Sequence, residues 1–453
     1  MIAKKMILCS LVVLFSAQLK AQTLYHLESG TLSLDITLEG KRYKGALILP
    51  QREDVFEIDV PMTTTSSLFK IHSDLDSVTM TLAADSVYVV NTKLPDRNIL
   101  ITIQALKAEK NAWFNSQYIS SYKNTYTVIL PEVQELLNCL FAITPTALND
   151  SNLINRDGYY YKEVIDHFLG YANDPLVLKL ERKLKEGSYA SLKMNSNIYV
   201  FENNNIVSHG PYNNLGWSGI NNLKPFIPEL ERFANETRFR EFFLSHKKYY
   251  DSLLKVHEKT LDIRKQWKWL ENKFPITHDR YVVSFSPLAG GSHSAIKVED
   301  NGFKETILFV AGPVLFSSYE KNIREAMLSR MVFTEIGHNY VNPVSENYIP
   351  LIDSLFGPSQ KWVLPEVINS YKTPSSIFNE YMTWSLFSLY AYDHYKKKDF
   401  EFINRLTERD MVQKRGFIKF REFNKILLEL YIANKQKKIS DLYLNLLQSL
   451  RAL

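Results

Sequence analysis

Near residue 110 the hydrophobic period of this 453-residue chain switches from two to roughly 3.6. Before that point apolar and polar residues alternate in short runs. Leu32-Ser33-Leu34-Asp35-Ile36-Thr37-Leu38 is one and Tyr43 to Leu49 another, with Glu39-Gly40-Lys41 as a turn between them. Val55-Phe56-Glu57-Ile58-Asp59-Val60, Val78 to Leu82 and Val87 to Val90 follow the same rule. Short alternating strands broken by turn residues predict an antiparallel, sandwich-like accessory domain over 22–110. Its Asp and Ser residues fall on turns and solvent faces and form no catalytic cluster.

From 111 onward apolar residues recur at helical spacing. Pro131 opens a helix running to Phe141, in the position where its missing N–H does no harm. Tyr159 to Tyr171 and Leu176 to Leu184 continue in that period, as does the charged, aromatic stretch Ile227 to Trp269. Within that stretch His246 and His257 read as residues of solvated helix faces. Phe378 to Tyr395, Phe400 to Met411, Phe417 to Tyr431 and Leu442 to Leu450 complete the helices. Only 280–312 returns to strands, at Tyr281 to Ser286 and Thr306 to Val310. Between these lies Leu288-Ala289-Gly290-Gly291-Ser292-His293-Ser294, read as a turn joining paired strands, with His293 near a cleft. No Gly-Lys-Ser/Thr helix follows the glycine pair, so it is not a phosphate loop. The expected class is α+β: an N-terminal antiparallel β-domain, then a mainly helical domain with a small sheet over 111–453, its motif-bearing core at 280–398.

The first 21 residues have the makeup of an export signal. Lys4 and Lys5 precede an apolar run, Met6 to Ala17, and Leu19-Lys20-Ala21 precedes a cut at Gln22. That run is too short for a membrane span and no later run qualifies. Cys9 lies inside it, too early to be a lipid-attachment cysteine. The expectation is an exported chain, periplasmic or secreted, with no membrane span after cleavage. Removing Lys4, Lys5 and Lys20 and no acid lowers the formal net charge from +5 to +2. So nearly neutral a chain has no electrostatic case for binding nucleic acid. Cys139 is then the sole cysteine, which rules out an intramolecular disulfide. Set in Leu136-Leu137-Asn138-Cys139-Leu140-Phe141, it reads as a small buried hydrophobe. No sequence feature specifies an oligomeric state.

One segment carries chemistry. Phe333-Thr334-Glu335-Ile336-Gly337-His338 has the frame of His-Glu-x-x-His, in which two histidines one helical turn apart hold zinc and the glutamate activates the bound water. Glu335 stands where the general base belongs and His338 where the second ligand belongs. Thr334 replaces the first histidine, and a neutral hydroxyl is a poor zinc ligand. Glu335 and His338, three residues apart, share one helix face. The helix is expected to begin after Ser317-Ser318 and to end at Pro343. Glu380, in Asn379-Glu380-Tyr381-Met382-Thr383-Trp384, fits a third ligand if its helix folds back antiparallel on the first. The rival pattern with glycine and a third histidine close downstream is absent: Val341 and Val344 stand there. Neither a Gly-x-Ser-x-Gly elbow nor an Asp-Thr/Ser-Gly loop occurs.

The run Thr334 to Pro343, ending in Val-Asn-Pro, and the segment Asn379 to Trp384 resemble an exported bacterial family of unknown function with a zincin-like, gluzincin-type metallopeptidase domain. The resemblance covers about residues 111–435. It implies Glu335 as general base, His338 and Glu380 as metal ligands, and peptide hydrolysis as the ancestral chemistry. Thr334 departs from the pattern, so zinc is expected to bind weakly or not at all. Losing one ligand removes several kcal/mol from site free energies on the order of 10–16 kcal/mol. The expected function is that of an impaired or inactive peptidase relative that binds peptide or protein in its cleft, along Thr306 to Val310 as an edge strand. One alternative is an active metallopeptidase in which Glu335 itself ligates and Glu346 or Asp393 acts as base. A second is a cell-surface interaction protein acting through its β-domain.

Overall fold

The computed structural model describes residues 24–453 apart from 52–53, 313–318, 369–370 and 372. The expected export signal and Ser317-Ser318 lie outside the described residues. The class is α+β, with a strand-built N-terminal part and a mainly helical remainder around a small sheet. Contacts divide the chain into two compact units, one ending at Lys110 and including 218–220, the other comprising 111–217 and 221–453.

The first unit holds two four-stranded sheets. Its strands are β1 (Leu24–Glu28), β2 (Ser33–Leu38), β3 (Lys41–Ile48), β4 (Val55–Met62), β5 (Ser66–His72), β6 (Ser77–Ala83), β7 (Ser86–Lys93) and β8 (Asn98–Lys107). The sheet β3-β2-β5-β6 is antiparallel throughout, whereas in β1-β7-β8-β4 only the central pair is antiparallel and both edge strands pair parallel. Alternation reports a half-buried strand and is silent on pairing direction. Every second residue of β8 is buried, and Ile99, Ile101 and Ile103 share one apolar cluster with Leu34, Phe69 and Ile71 of the other sheet. Glu39 (φ 51°) and Gly40 (φ 78°) form a two-residue left-handed turn between β2 and β3, the hairpin geometry that matches strand twist.

The second unit is built around β9 (Thr125–Ile129), β12 (Arg280–Ser286), β13 (Ser294–Asp300) and β14 (Phe303–Ala311); β10 (Tyr199–Glu202) and β11 (Asn205–Ser208) make a separate hairpin. The order is β13-β14-β12-β9, parallel except for the antiparallel β13–β14 pair. All seven β12 residues are buried, because Tyr281, Val283 and Phe285 face one apolar cluster and Val282 faces another. A sheet covered on both faces gives an unbroken apolar run rather than alternation.

Two expectations fail here. Thr306 to Val310 lies in β14, an interior strand whose backbone is paired on both sides, so no peptide can be added to it. The unpaired edge beside it belongs to β13, a strand absent from the sequence reading although Ile296-Lys297-Val298-Glu299 alternates apolar and polar. The glycine pair is also not the turn of a hairpin. That turn is Asn301–Gly302, both at positive φ. Gly290 is instead pressed against the chain at 151–154: a Cβ there would stand 2.3 Å from the Ser151 carbonyl oxygen and 2.6 Å from the Asn152 carbonyl carbon. Backbone bonds from Gly290 to Leu153 and from Ser292 to Asn152 seal this contact, which only glycine permits.

The motif helix runs Lys321–Ser345, continuing past Pro343. Proline removes one helical hydrogen bond. The final turn persists because Val341, Val344 and Ser345 are buried and Glu346 N–H donates to the carbonyls of Asn342 and Val344. On the core side Asn339 Nδ2 donates to Thr306 Oγ1 on β14 (3.1 Å), and the Tyr340 and Tyr281 hydroxyls meet at 3.0 Å.

Candidate functional site

The helix Pro374–His394 starts with an apt N-terminus: Thr373 caps Ser376 N–H, Ser376 caps back, and Pro374 takes the first turn. It lies antiparallel along the motif helix. Phe333 packs against Phe387 and Tyr390 (ring centroids 5.5 and 5.1 Å), Gly337 faces Thr383, and His338 reaches Glu380. As residue numbers rise on one helix they fall on the other. A Cβ on Gly337 would lie 3.6 Å from Thr383 Cγ2, so the helices meet closely at that point.

This crossing brings His338 against Glu380 in a recess, with Glu335 within electrostatic reach of both. His338 Nε2 is 3.5 Å from Glu380 Oε1, and its Nδ1 is 3.3 Å from Asn342 Oδ1. The other Glu380 oxygen, Oε2, accepts from Arg415 Nη2 at 3.2 Å. The same Arg415 nitrogen donates to the Tyr371 hydroxyl at 2.7 Å. The Arg415 guanidinium lies over the Trp384 ring at 4.8 Å, as does that of Arg330, which pairs with Asp410 at 2.8 Å.

The charges follow from these contacts. Burial raises a carboxylate pKa, yet Arg415 and His338 outweigh it and hold Glu380 down at about 2. Burial pulls His338 down, but the hydrogen bond and charge of Glu380, with Glu335 behind it, raise the imidazole to about 9. Glu335 has no such partner. Burial lifts it to about 7, reinforced by Glu380 and opposed by His338 and Arg415. At neutral pH the recess therefore holds two fixed cations, one fixed anion and a carboxyl that titrates.

These residues do not fit a zinc ion. Thr334 is buried and its Oγ1 donates to the Met331 carbonyl of its own helix (2.9 Å), which turns the hydroxyl away from a ligand role. Glu380 already has a guanidinium against it. His338 would have to release a proton held at about 9, which costs about 3 kcal/mol at pH 7. Among the described residues no three His, Cys, Asp or Glu side chains come together closely enough to hold an ion. Asp393, weighed as a substitute base, accepts from Trp269 Nε1 and the Tyr431 hydroxyl, more than three turns along the helix from Glu380 and roughly 20 Å away. Glu346 is exposed beyond the helix end.

No family model, no curated protein and no solved structure matches this chain.

Arg415 and Tyr371 are the site residues missing from the sequence reading. Arg415 follows the turn Asp410–Lys414, in a stretch that also holds the bases Arg409 and Lys414. Its place is set by long-range pairing: Leu364 N–H donates to the Gly416 carbonyl, and Val363 bridges Phe417. Gly416 sits at φ 73°, where a Cβ would be 2.7 Å from Val367 Cγ2. His293, which precedes β13, lies within electrostatic reach of Arg415 and Glu380. His246 and His257 are not on solvated faces. His246 pairs with Glu163 at 2.7 Å, and His257 is 3% exposed. Cys139 is fully buried, which pushes its thiol far above the ordinary value and leaves it inert.

Proposed function

We propose that this chain is a zincin-like protein that binds peptide or protein in its cleft and does not hydrolyse it, acting outside the cytoplasm as its first 21 residues suggest. The observation that carries the reading is the clamp on Glu380: His338 on one carboxylate oxygen and Arg415 on the other. In this reading Arg415 supplies the positive charge that a metal would bring, and keeps the two helices and the carboxylate in place without one. The resemblance of Thr334 to Pro343 and Asn379 to Trp384 to a peptidase-type family supports the ancestry. The unpaired edge of β13 starts one residue after His293 and is suited to accept an extended segment by strand addition. Among the described residues no helix is long and apolar enough to cross a membrane.

The test uses unfolded casein as a generic extended chain. Retention by the immobilised full-length protein, with no new fragments and no effect of a chelator, is the expected result. Cleavage abolished by chelation would overturn the proposal in favour of an active metallopeptidase, and absence of binding would overturn it as well.

A further inference from the structure

A second cavity, of about 620 Å³, lies in the helical unit on the Met331 side of the motif helix. Its walls are Met327 and Val332 of that helix, Leu253 and His257 of the helix Lys247–Thr260, and Val310 at the end of β14. That volume is in the range of small-molecule sites, and such sites combine apolar walls with a few polar groups. Here the polar groups are unusual because they lack partners. His257 is 3% exposed and neither of its ring nitrogens has a hydrogen-bond partner. His293, across the cavity, has an unpartnered buried Nε2. Buried polar atoms are nearly always paired, so unpaired ones on a cavity wall call for a ligand that pairs them.

We infer that this cavity is a binding site for an uncharged, mainly apolar small molecule carrying a hydroxyl, amine or amide hydrogen that it donates to an imidazole nitrogen of His257. The chemistry of the walls selects for neutrality. Burial keeps both rings unprotonated, at about 4 for His257 and about 3 for His293, so neither offers an anion a charge. The only buried cation on the wall, Arg330, already donates from Nη2 to Asp410 at 2.8 Å and from Nη1 to Thr407 Oγ1 at 3.3 Å. A cationic ligand meets no buried carboxylate there, since the sole acid of the lining, Asp157, is exposed. The inference does not depend on the reading of the Glu380 centre.

The probe is N-phenyl-1-naphthylamine, uncharged at neutral pH, with one N–H and a fluorescence that rises in apolar surroundings. The intact chain should bind it saturably, one per molecule. His257→Phe keeps the ring volume and removes both nitrogens, and should weaken binding about tenfold, the equivalent of one hydrogen bond. Ala311→Trp, which fills the cavity, should abolish it. Each variant is checked by its melting transition. If Ala311→Trp does not fold, His257→Phe decides. Unsaturable binding, or binding unchanged in a folded variant, overturns the inference. So does equal affinity for 1-naphthylacetate, which would mark a site for anions.

Discussion

Arg415 Nη2 stands 3.2 Å from Glu380 Oε2, on the carboxylate oxygen that His338 does not engage. A guanidinium in that position is at once a structural tie and an obstacle to any second cation.

Arg415→Ala should therefore destabilise the fold. Glu380, only 12% exposed at its side chain, would lose its guanidinium partner. A loss of about 1–3 kcal/mol is expected, below the full value for a buried pair because the Arg415 side chain is 28% exposed. Urea unfolding of the two proteins measures it; equal midpoints would mean that the pair contributes nothing.

Zinc affinity offers a sharper discrimination. Thr334→His places a third donor one turn before His338, yet leaves Arg415 on Glu380. The single variant should gain little affinity, and Thr334→His with Arg415→Ala should gain by orders of magnitude more than the two changes added separately. Titration calorimetry with zinc reads this coupling directly. A single variant as tight as the double one would show that Arg415 does not occupy the metal position.

The pH dependence has a definite sign. His338 titrates at about 9 when folded against an ordinary 6.5, so its contribution is complete below about 6.5 and disappears as pH rises through 9. Glu335 is a carboxyl raised to about 7, so its ionisation also weakens the folded state, between about 4.5 and 7. Glu380 acts oppositely: held at about 2, it stabilises above about 4.5 and that contribution is lost as pH falls through 2. Melting temperature should thus fall from weakly acidic to alkaline pH. Glu335→Gln should flatten the part below 7 and leave the alkaline part intact. A Glu335→Gln profile parallel to the unmodified one would exclude the assigned ionisation.

Gly290→Ala tests the seal under the cavity. A Cβ 2.3 Å from the Ser151 oxygen must displace backbone, not a flexible side chain, and should cost about 2–4 kcal/mol. A melting temperature unchanged by this substitution would show that the contact is loose.

The approach of His338 to Glu380 was legible because motif order suggests an antiparallel return of the second helix. The α+β class was legible from the period change near 110. Arg415 was not, since a base after a helix looks like any solvated charge until the chain at 363–364 pulls it inward. The interior position of β14 escaped for a different reason: hydrophobicity reports burial, while strand order depends on pairings between distant segments. Pro343 misled because a local rule about proline yields to the burial of Val341 and Val344.

The Arg415 clamp also bears on the surroundings in which this molecule can work. A cleft organised by a dissociable ion is only as permanent as the supply of that ion. A cleft organised by a side chain of its own chain keeps its shape whatever the supply of metal.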